Sequence, residues 1–584
     1  MNEPRLLSLG DKPVRLLITL HLANILTMVG MNTLTLHGVW LPWVYLTALA
    51  AGWGLIGRTT LGKPKSDNLK LGRWDRWWID LGFLTVVGAI ALSRVGYISE
   101  AWLGHVIEPV CWDDWFHLQD ISSVANTERF PPTSAMRPDR YLSIYYAPWM
   151  FVGFIHKALP FAVNTLKNSL AMGIGIHVLL TGYATVYLAR CLSVRRTQFL
   201  LLCYLFLAYA GFESVFLFTK PGAQLEWWTR WYGVDVHLPS WPQQLLWVMH
   251  HLSATVSTML AAWVFTAQER DIQARGQWRH QVVAGLLLVH ALFSSAFVVI
   301  GALPIGLAFV GWRLRERWRA VLASGLIATI GALSTLWIYL GKDTKFVFGK
   351  HVKDLAIYQF GVQDPTWDWI LSFGRFVGLE ALDLIGYLML LALGARAWLR
   401  DREDRVWVAL AAGFLVAIFF VSFSGIDNLA ARGVMVPLVA LAWVAAKHAP
   451  DVSIRHPIAW VVLAVMSLGT MNDLFIFHER NIKHPQLGPA AHTWDAQMAQ
   501  KIYKVNTDRS VDRVDFSTMF EGRMPREDQV WQIERVLTGE DRPVTPDGWE
   551  RTRELSEERT NPGPFGPWTW QDWRKSGARN PPGR

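Results

Sequence analysis

The chain has 584 residues, of which 52% are hydrophobic and only 18% charged, whereas soluble domains carry roughly 25% charged residues. Long apolar runs divided by short charged clusters account for the deficit; they exclude one large soluble core and point to repeated bilayer crossings of about 20 apolar residues each. The net charge of +9 does not indicate nucleic acid, because most Lys and Arg sit in short loops, where the positive-inside rule puts them, and no basic stripe is interleaved with aromatics.

The first apolar runs predict spans near 16–31, 39–56 and 77–95, the first read as a retained span because no cleavable leader pattern precedes it. Arg58, Lys63, Lys65, Lys70, Arg73 and Arg76 lie between the second and third. They assign that loop, together with the N-terminus (Arg5, Lys12, Arg15), to the cytoplasm. Segment 96–167 then lies outside. Within it, 144–159 is apolar, but a crossing there would put Arg190, Arg195 and Arg196 outside, so it reads as a helix on the outer surface.

Spans follow near 170–188, 198–210 and 243–266, with a Trp-rich outer loop at 212–242. The stretch 281–312 is too long for one span; Gly301 and Pro304 are expected to break it into two short helices. Further spans near 320–340, 379–399, 406–423, 434–446 and 458–470 complete an all-α bundle of about thirteen, with a second outer loop at 341–375. Parity leaves the N-terminus cytoplasmic and the tail extracytoplasmic, dividing the chain into a membrane region 1–475 and a polar, partly extended tail 476–584. The 32 Trp suit the headgroup level. Cys111, Cys191 and Cys203 offer no disulfide framework, the last two lying in or beside apolar helices. No internal repeat is visible, and no P-loop, GxGxxG or zinc-spaced Cys/His set is present.

Chemistry-bearing residues concentrate in the first outer loop, in Cys111-Trp112-Asp113-Asp114-Trp115-Phe116-His117. Asp113 and His117 share a face at helical spacing. A carboxylate partly desolvated by Trp beside a membrane has a raised proton affinity, which suits a general base for a hydroxyl acceptor; the plainer reading is a helix cap. The pair His250-His251 opens a span from the outer side, as candidates to bind a phosphate or donate a proton. Arg432 ends the loop Asp427–Arg432; its guanidinium suits bidentate phosphate contact, and a loop-closing pair with Asp427 is the alternative. Glu226 and Asp235 are candidate sugar contacts in the Trp-rich loop. Lys342, Asp343, Lys345, Lys350, His351 and Lys353 form a basic outer loop able to attract an anionic headgroup, or simply a solvated face. Ser294-Ser295 reads as polar glue for helix packing.

The run Asp113-Asp114, His117, Arg129-Phe130-Pro131-Pro132, Arg137-Pro138 and Leu142-Ser143-Ile144-Tyr145-Tyr146-Ala147-Pro148 resembles the first outer loop of the GT-C superfamily, polytopic glycosyltransferases that use polyprenyl-phosphate sugars. The surface helix that follows is a feature the family shares. The resemblance implies a bacterial cytoplasmic-membrane enzyme that moves a sugar from a polyprenyl-phosphate donor onto an extracytoplasmic glycan, lipid or protein, with inversion. It implies Asp113 or Asp114 as base with His117 beside them, Arg432 with His250 or His251 on the phosphate, and Arg137, Tyr145 and Tyr146 as substrate contacts. Two extra spans precede the acidic loop, a departure from the family, and which Asp matches its base stays open. No metal site is assigned; magnesium or manganese is compatible with Asp113, Asp114 and a third acid, but no ligand spacing demands it. The rival readings are a transporter or flippase for lipid-linked glycans, which requires titratable groups at mid-bilayer, and a noncatalytic scaffold of an envelope-assembly complex.

Overall fold

The computed structural model describes residues 11–57, 59, 61, 82, 85–92, 117, 120–121, 123–125, 127, 129–132, 142, 146–159, 166–209, 211, 240–247, 249–267, 277–313, 318–340, 355–357, 377–378, 381–418, 421–423, 432–448 and 457–482. Asp113, Asp114, Arg137, Tyr145, Glu226, Asp235, Asp427, the basic outer loop and the tail beyond 482 lie outside these residues.

The architecture is helical apart from one two-stranded antiparallel ribbon, in which β1 (Leu355–Ile357) pairs with β2 (Val421–Phe423). Among the described residues, four helices are long and apolar enough to cross a bilayer: Lys12–Thr33, Gly38–Gly57, Asn168–Leu192 and Trp318–Leu336. Shorter apolar helices cover Arg196–Leu207, Ala296–Trp312, Met435–His448 and Val461–Asn472. This is the composition of a helical membrane protein.

Helices α1 (Lys12–Thr33) and α2 (Leu41–Gly57) form an antiparallel hairpin. At one end Arg15 holds it together, its guanidinium donating to Asp11 Oδ2 (2.7 Å) and to the carbonyls of Ile56 (2.6 Å) and Thr59 (3.0 Å). A cation against the last carbonyls of a helix satisfies acceptors that have no partner within it. The opposite end receives the segment that follows His117. Gly38 N donates to Thr127 O (2.9 Å) and Phe130 N to Leu36 O (2.9 Å). A Cβ at Gly38 would press on the carbonyls of Ala125 and Thr127, so only glycine allows this seating. The start of the basic loop and the segment that follows His117 thus lie at opposite ends of one hairpin.

Helix α3 (Trp149–Ala158) is about 15 Å long, too short to span a bilayer, and packs on α1, α2 and α4 (Leu166–Leu192). Next come α5 (Arg196–Leu207), α6 (Trp241–Trp247) and α7 (Met249–Ala267). The stretch 281–312 does divide in two, but not at the expected break: α8 (Gln277–Ser294) and α9 (Ala296–Arg313) meet at Ser295, and α9 runs through both Gly301 and Pro304. The reason is local. Ser295 Oγ accepts from Val298 N (3.3 Å) and starts the new helix as its cap. Gly301 is kept for close packing instead.

Helix α10 (Trp318–Leu340) leaves Leu322, Leu326, Ile330 and Leu333 more than half exposed along one stripe, a face suited to lipid. The remaining helices are α11 (Ile385–Leu393), α12 (Ala395–Trp398), α13 (Arg402–Ala417), α14 (Met435–His448) and α15 (Pro457–Ile482). A largely continuous apolar core runs from α1 through α4, α5, α7, α8 and α14.

Candidate functional site

Three separate stretches of chain meet beside the first turn of α3. His117 is buried, its ring 4.2 Å from that of Trp149 and edge-on to His250 at 5.2 Å. His250 in turn lies 4.0 Å from His251 and 6.0 Å from Trp149, centroid to centroid. The Arg432 guanidinium faces both His250 and His251 closely enough for its charge to act on each. Arg432 owes its position to a backbone contact: a Cβ on Gly301 would overlap the carbonyl oxygen of Gly433, so α9 can press directly against the chain next to Arg432. The sequence-level candidates His117, His250, His251 and Arg432, spread over more than three hundred residues, therefore share one site.

The electrostatics of this site are unusual for a buried position. His250 Nδ1 and His251 Nδ1 are buried with no hydrogen-bond partner among the described residues. A buried polar atom left unmet costs about 1–3 kcal/mol, so these atoms face either another segment of the chain or a bound group. With a fixed guanidinium beside two imidazoles, the arrangement favours an anion.

Asp120 was not singled out from the sequence. It lies one helical turn after His117, where the adjacent pair Asp113-Asp114 draws attention away from the later, single carboxylate. Burial raises its carboxyl well above the usual carboxylate range, opposed by the indole N–H that Trp149 donates to it. The spacing His117-x-x-Asp120 was the available signal. Tyr146, expected as a substrate contact, is wholly buried, and its hydroxyl and the Asn32 side-chain amide of α1 exchange hydrogen bonds at 2.7 and 3.0 Å.

A small, mostly apolar cleft of about 30 Å³, separate from these side chains, is lined by Phe206, Trp241, Asp383, Tyr387, Met435 and Leu438 among others. Its wall depends on Gly211, whose φ of +63° suits glycine and whose missing Cβ makes room for Asp383.

Among the described residues, the metal-ligand types Asp401, Asp404 and His448 cluster at the far end of α14, about 20 Å along the helix from its start. Lys447 Nζ lies 2.7 Å from Asp404 Oδ2 and 3.1 Å from Asp401 Oδ2, and His448 Nε2 bonds Asp404 as well. A single ammonium already pairs with both carboxylates. Asp401 also caps α13, accepting from the backbone N–H groups of Glu403 and Asp404. The group ties α13 to α14 as an ion-pair network and does not resemble a metal centre.

Comparison with protein-family models, with curated proteins and with solved structures finds no match to this chain. The likeness to GT-C enzymes thus rests on the motif residues themselves.

Proposed function

We propose that the chain is a membrane glycosyltransferase that moves a sugar from a polyprenyl-phosphate donor to a hydroxyl acceptor on the outer side of a bacterial cytoplasmic membrane. The observation that carries this reading is the convergence of His117, four residues after Asp113, with His250, His251 and Arg432. A base-bearing loop and a phosphate-binding group are what this transfer needs at one point. The acceptor hydroxyl attacks the anomeric carbon as the bond from that carbon to the phosphate oxygen breaks, inverting the centre. The hydroxyl proton passes to Asp113 or Asp114. The bond electrons leave on the polyprenyl phosphate, whose charge is offset by Arg432 with His250 or His251.

The test uses the purified full chain in lipid nanodiscs, supplied with a panel of polyprenyl-phosphate sugars. The double variant Asp113→Asn, Asp114→Asn is expected to lose transfer by about 10²–10⁴-fold, the range for a general base, while still binding the lipid-linked sugar. Retained transfer removes both acids from the mechanism.

One observation favours the transporter reading: titratable side chains also gather deep inside the bundle, where that reading requires them. They are His21, His177 and His290. No carboxylate joins them among the electrostatic neighbours of His21, and the acidic loop has no role in such a scheme, so the transferase ranks first.

A further inference from the structure

A second polar cluster lies in the middle of the bundle, away from the site above and unused by the proposed reaction. His21 sits about 14 Å along α1, His177 about 16 Å along α4, His290 about 20 Å along α8 and Ser257 about 12 Å along α7. All four are fully buried. The His21 and His290 rings stack at 3.9 Å with an 11° tilt, and His177 lies 6.2 Å from His21 in a nearly parallel plane.

The hydrogen bonds run as a continuous chain. Ser253 Oγ is 3.0 Å from His21 Nε2, His21 Nδ1 is 2.8 Å from Ser257 Oγ, and Ser257 Oγ is 3.0 Å from His290 Nδ1. Ser294 Oγ lies 3.4 Å from either nitrogen of His290. Proton arithmetic makes the chain reversible. Ser257 has one hydroxyl proton and two imidazole neighbours, so one ring donates to it and the other accepts. Two arrangements satisfy every link with the same protons. In one, Ser253 donates to His21 Nε2, His21 Nδ1–H donates to Ser257, and Ser257 donates to His290 Nδ1. In the other, all three links point the opposite way and both rings have changed tautomer. His177 adds a base beside the chain. Its Nδ1 is 3.1 Å from the Gly173 carbonyl, which only accepts, so Nδ1 carries the proton. Nε2 is then a buried lone pair with no partner among the described residues.

We infer that Ser253, His21, Ser257 and His290 form an intramembrane proton relay, running between the centre of the bundle and the His250 end of α7. A proton reaching Ser253 Oγ displaces the hydroxyl proton onto His21 Nε2. His21 gives its Nδ1 proton to Ser257, Ser257 gives its own to His290 Nδ1, and His290 passes the proton on Nε2 to Ser294 Oγ (3.4 Å), which gives up its own hydroxyl proton as the outgoing one. One proton enters, one leaves, and the three links end reversed, to be reset by rotation of the hydroxyls and tautomer exchange of the rings. His250, Ser253 and Ser257 fall at helical spacing on one face of α7, so the entrance lies about 4.5 Å along the axis from His250. Helix adhesion alone needs only hydroxyls and amides. Three imidazoles in an apolar core are a costly way to obtain it.

The groups facing the relay are few. Beside it α1 offers Asn24, bonded to Tyr45 of α2 (3.1 Å), and α3 offers the Phe151 ring and, further along, His156, bonded to Ser169 (3.0 Å), and Lys157. By sequence α10 has only Arg319 and Tyr339 near its two ends, α9 only Arg313 at its last residue, and α14 only Lys447 and His448 at its far end. The electrostatic neighbours of His21 are His290 and His177. This inference does not rest on the transferase reading.

Full-length protein labelled with ¹⁵N-histidine in lipid nanodiscs, its His21 and His290 signals assigned with His21→Gln and His290→Gln, tests it by magic-angle-spinning NMR. Both rings are expected to sample both tautomers. Ser257→Ala is expected to fix each in one tautomer and slow ring deuterium uptake at least tenfold, with Ser257→Thr restoring exchange; Ser253→Ala breaks the outer link and reports the same loss should Ser257→Ala fail to fold. Single fixed tautomers in the unaltered protein, or exchange indifferent to both alanine variants, overturn the relay. So does one equivalent of transition metal in the purified protein that disappears in His290→Gln, which makes the cluster a metal site instead.

Discussion

Two histidine clusters share helix α7, yet they are built on opposite plans. At its start, His250 and His251 face His117, Trp149 and Arg432, with imidazole nitrogens unmet among the described residues and a guanidinium held against them. One and two turns further on, Ser253 and Ser257 meet His21 and His290 in a chain where each link has its partner and no formal charge takes part. The first arrangement leaves imidazole nitrogens unmet among the described residues, which in the proposed function are open to the phosphate. The second resembles a satisfied core network whose protons can still move. Burial is nearly the same in both, so it is partner count and charge that separate a binding site from an internal relay.

The difference is sharpest in what removal of a side chain does. Within the two clusters, Arg432→Ala is expected to have the largest effect on transfer, about 10–100-fold, since a charge-assisted contact contributes about 1.5–3 kcal/mol. Arg432→Lys should recover only part, because an ammonium cannot reproduce the bidentate fork; assays with labelled polyprenyl-phosphate sugar measure both. His290→Ala should instead lower thermal stability, by about 2–4 kcal/mol, as a cavity opens and Ser257 loses a partner. His250→Ala should leave the melting temperature nearly unchanged while impairing transfer. Equal stability losses in the two variants would erase the contrast.

Gly301→Ala probes how the first site is held together. Its methyl group would drive α9 from Gly433, with an expected cost of about 1–3 kcal/mol and a fall in transfer through displaced Arg432, read by thermal unfolding and by donor binding. The smallest effects concern pH. Burial holds the Asp120 carboxyl above its usual range, so its contribution to stability is present in acid and is lost as pH rises through the elevated value. Asp401 has the opposite sign. Burial works against ionisation there, but the hydrogen bond and charge of Lys447 and two backbone N–H groups prevail and hold the carboxyl below its usual value. Its contribution is present above the normal carboxylate range and lost as pH falls. Asp120→Asn should therefore flatten the alkaline side of a stability–pH profile and Asp401→Asn the acid side.

Much of the first site was legible from residue types. Adjacent histidines at the start of an apolar run, and an arginine at the end of a late loop, stand out because charge and imidazole are costly in a membrane. Asp120 was overshadowed by the acidic pair before it. The helix break at Ser295 was misplaced because glycine and proline are the usual punctuation, yet Gly301 is retained for a backbone contact with Gly433 that no local pattern reveals.

Apolar runs were enough, in the sequence alone, to indicate a helical chain with several apolar helices compatible with a membrane protein, because bilayer crossing is a constraint on each segment separately. Tertiary structure alone decided which histidines meet. His21, His177 and His290 each look like an isolated polar residue in an apolar run. Only the packing of α1, α4, α7 and α8 brings them together with two serines, since hydrogen bonds between residues more than two hundred positions apart leave no periodic trace in the chain.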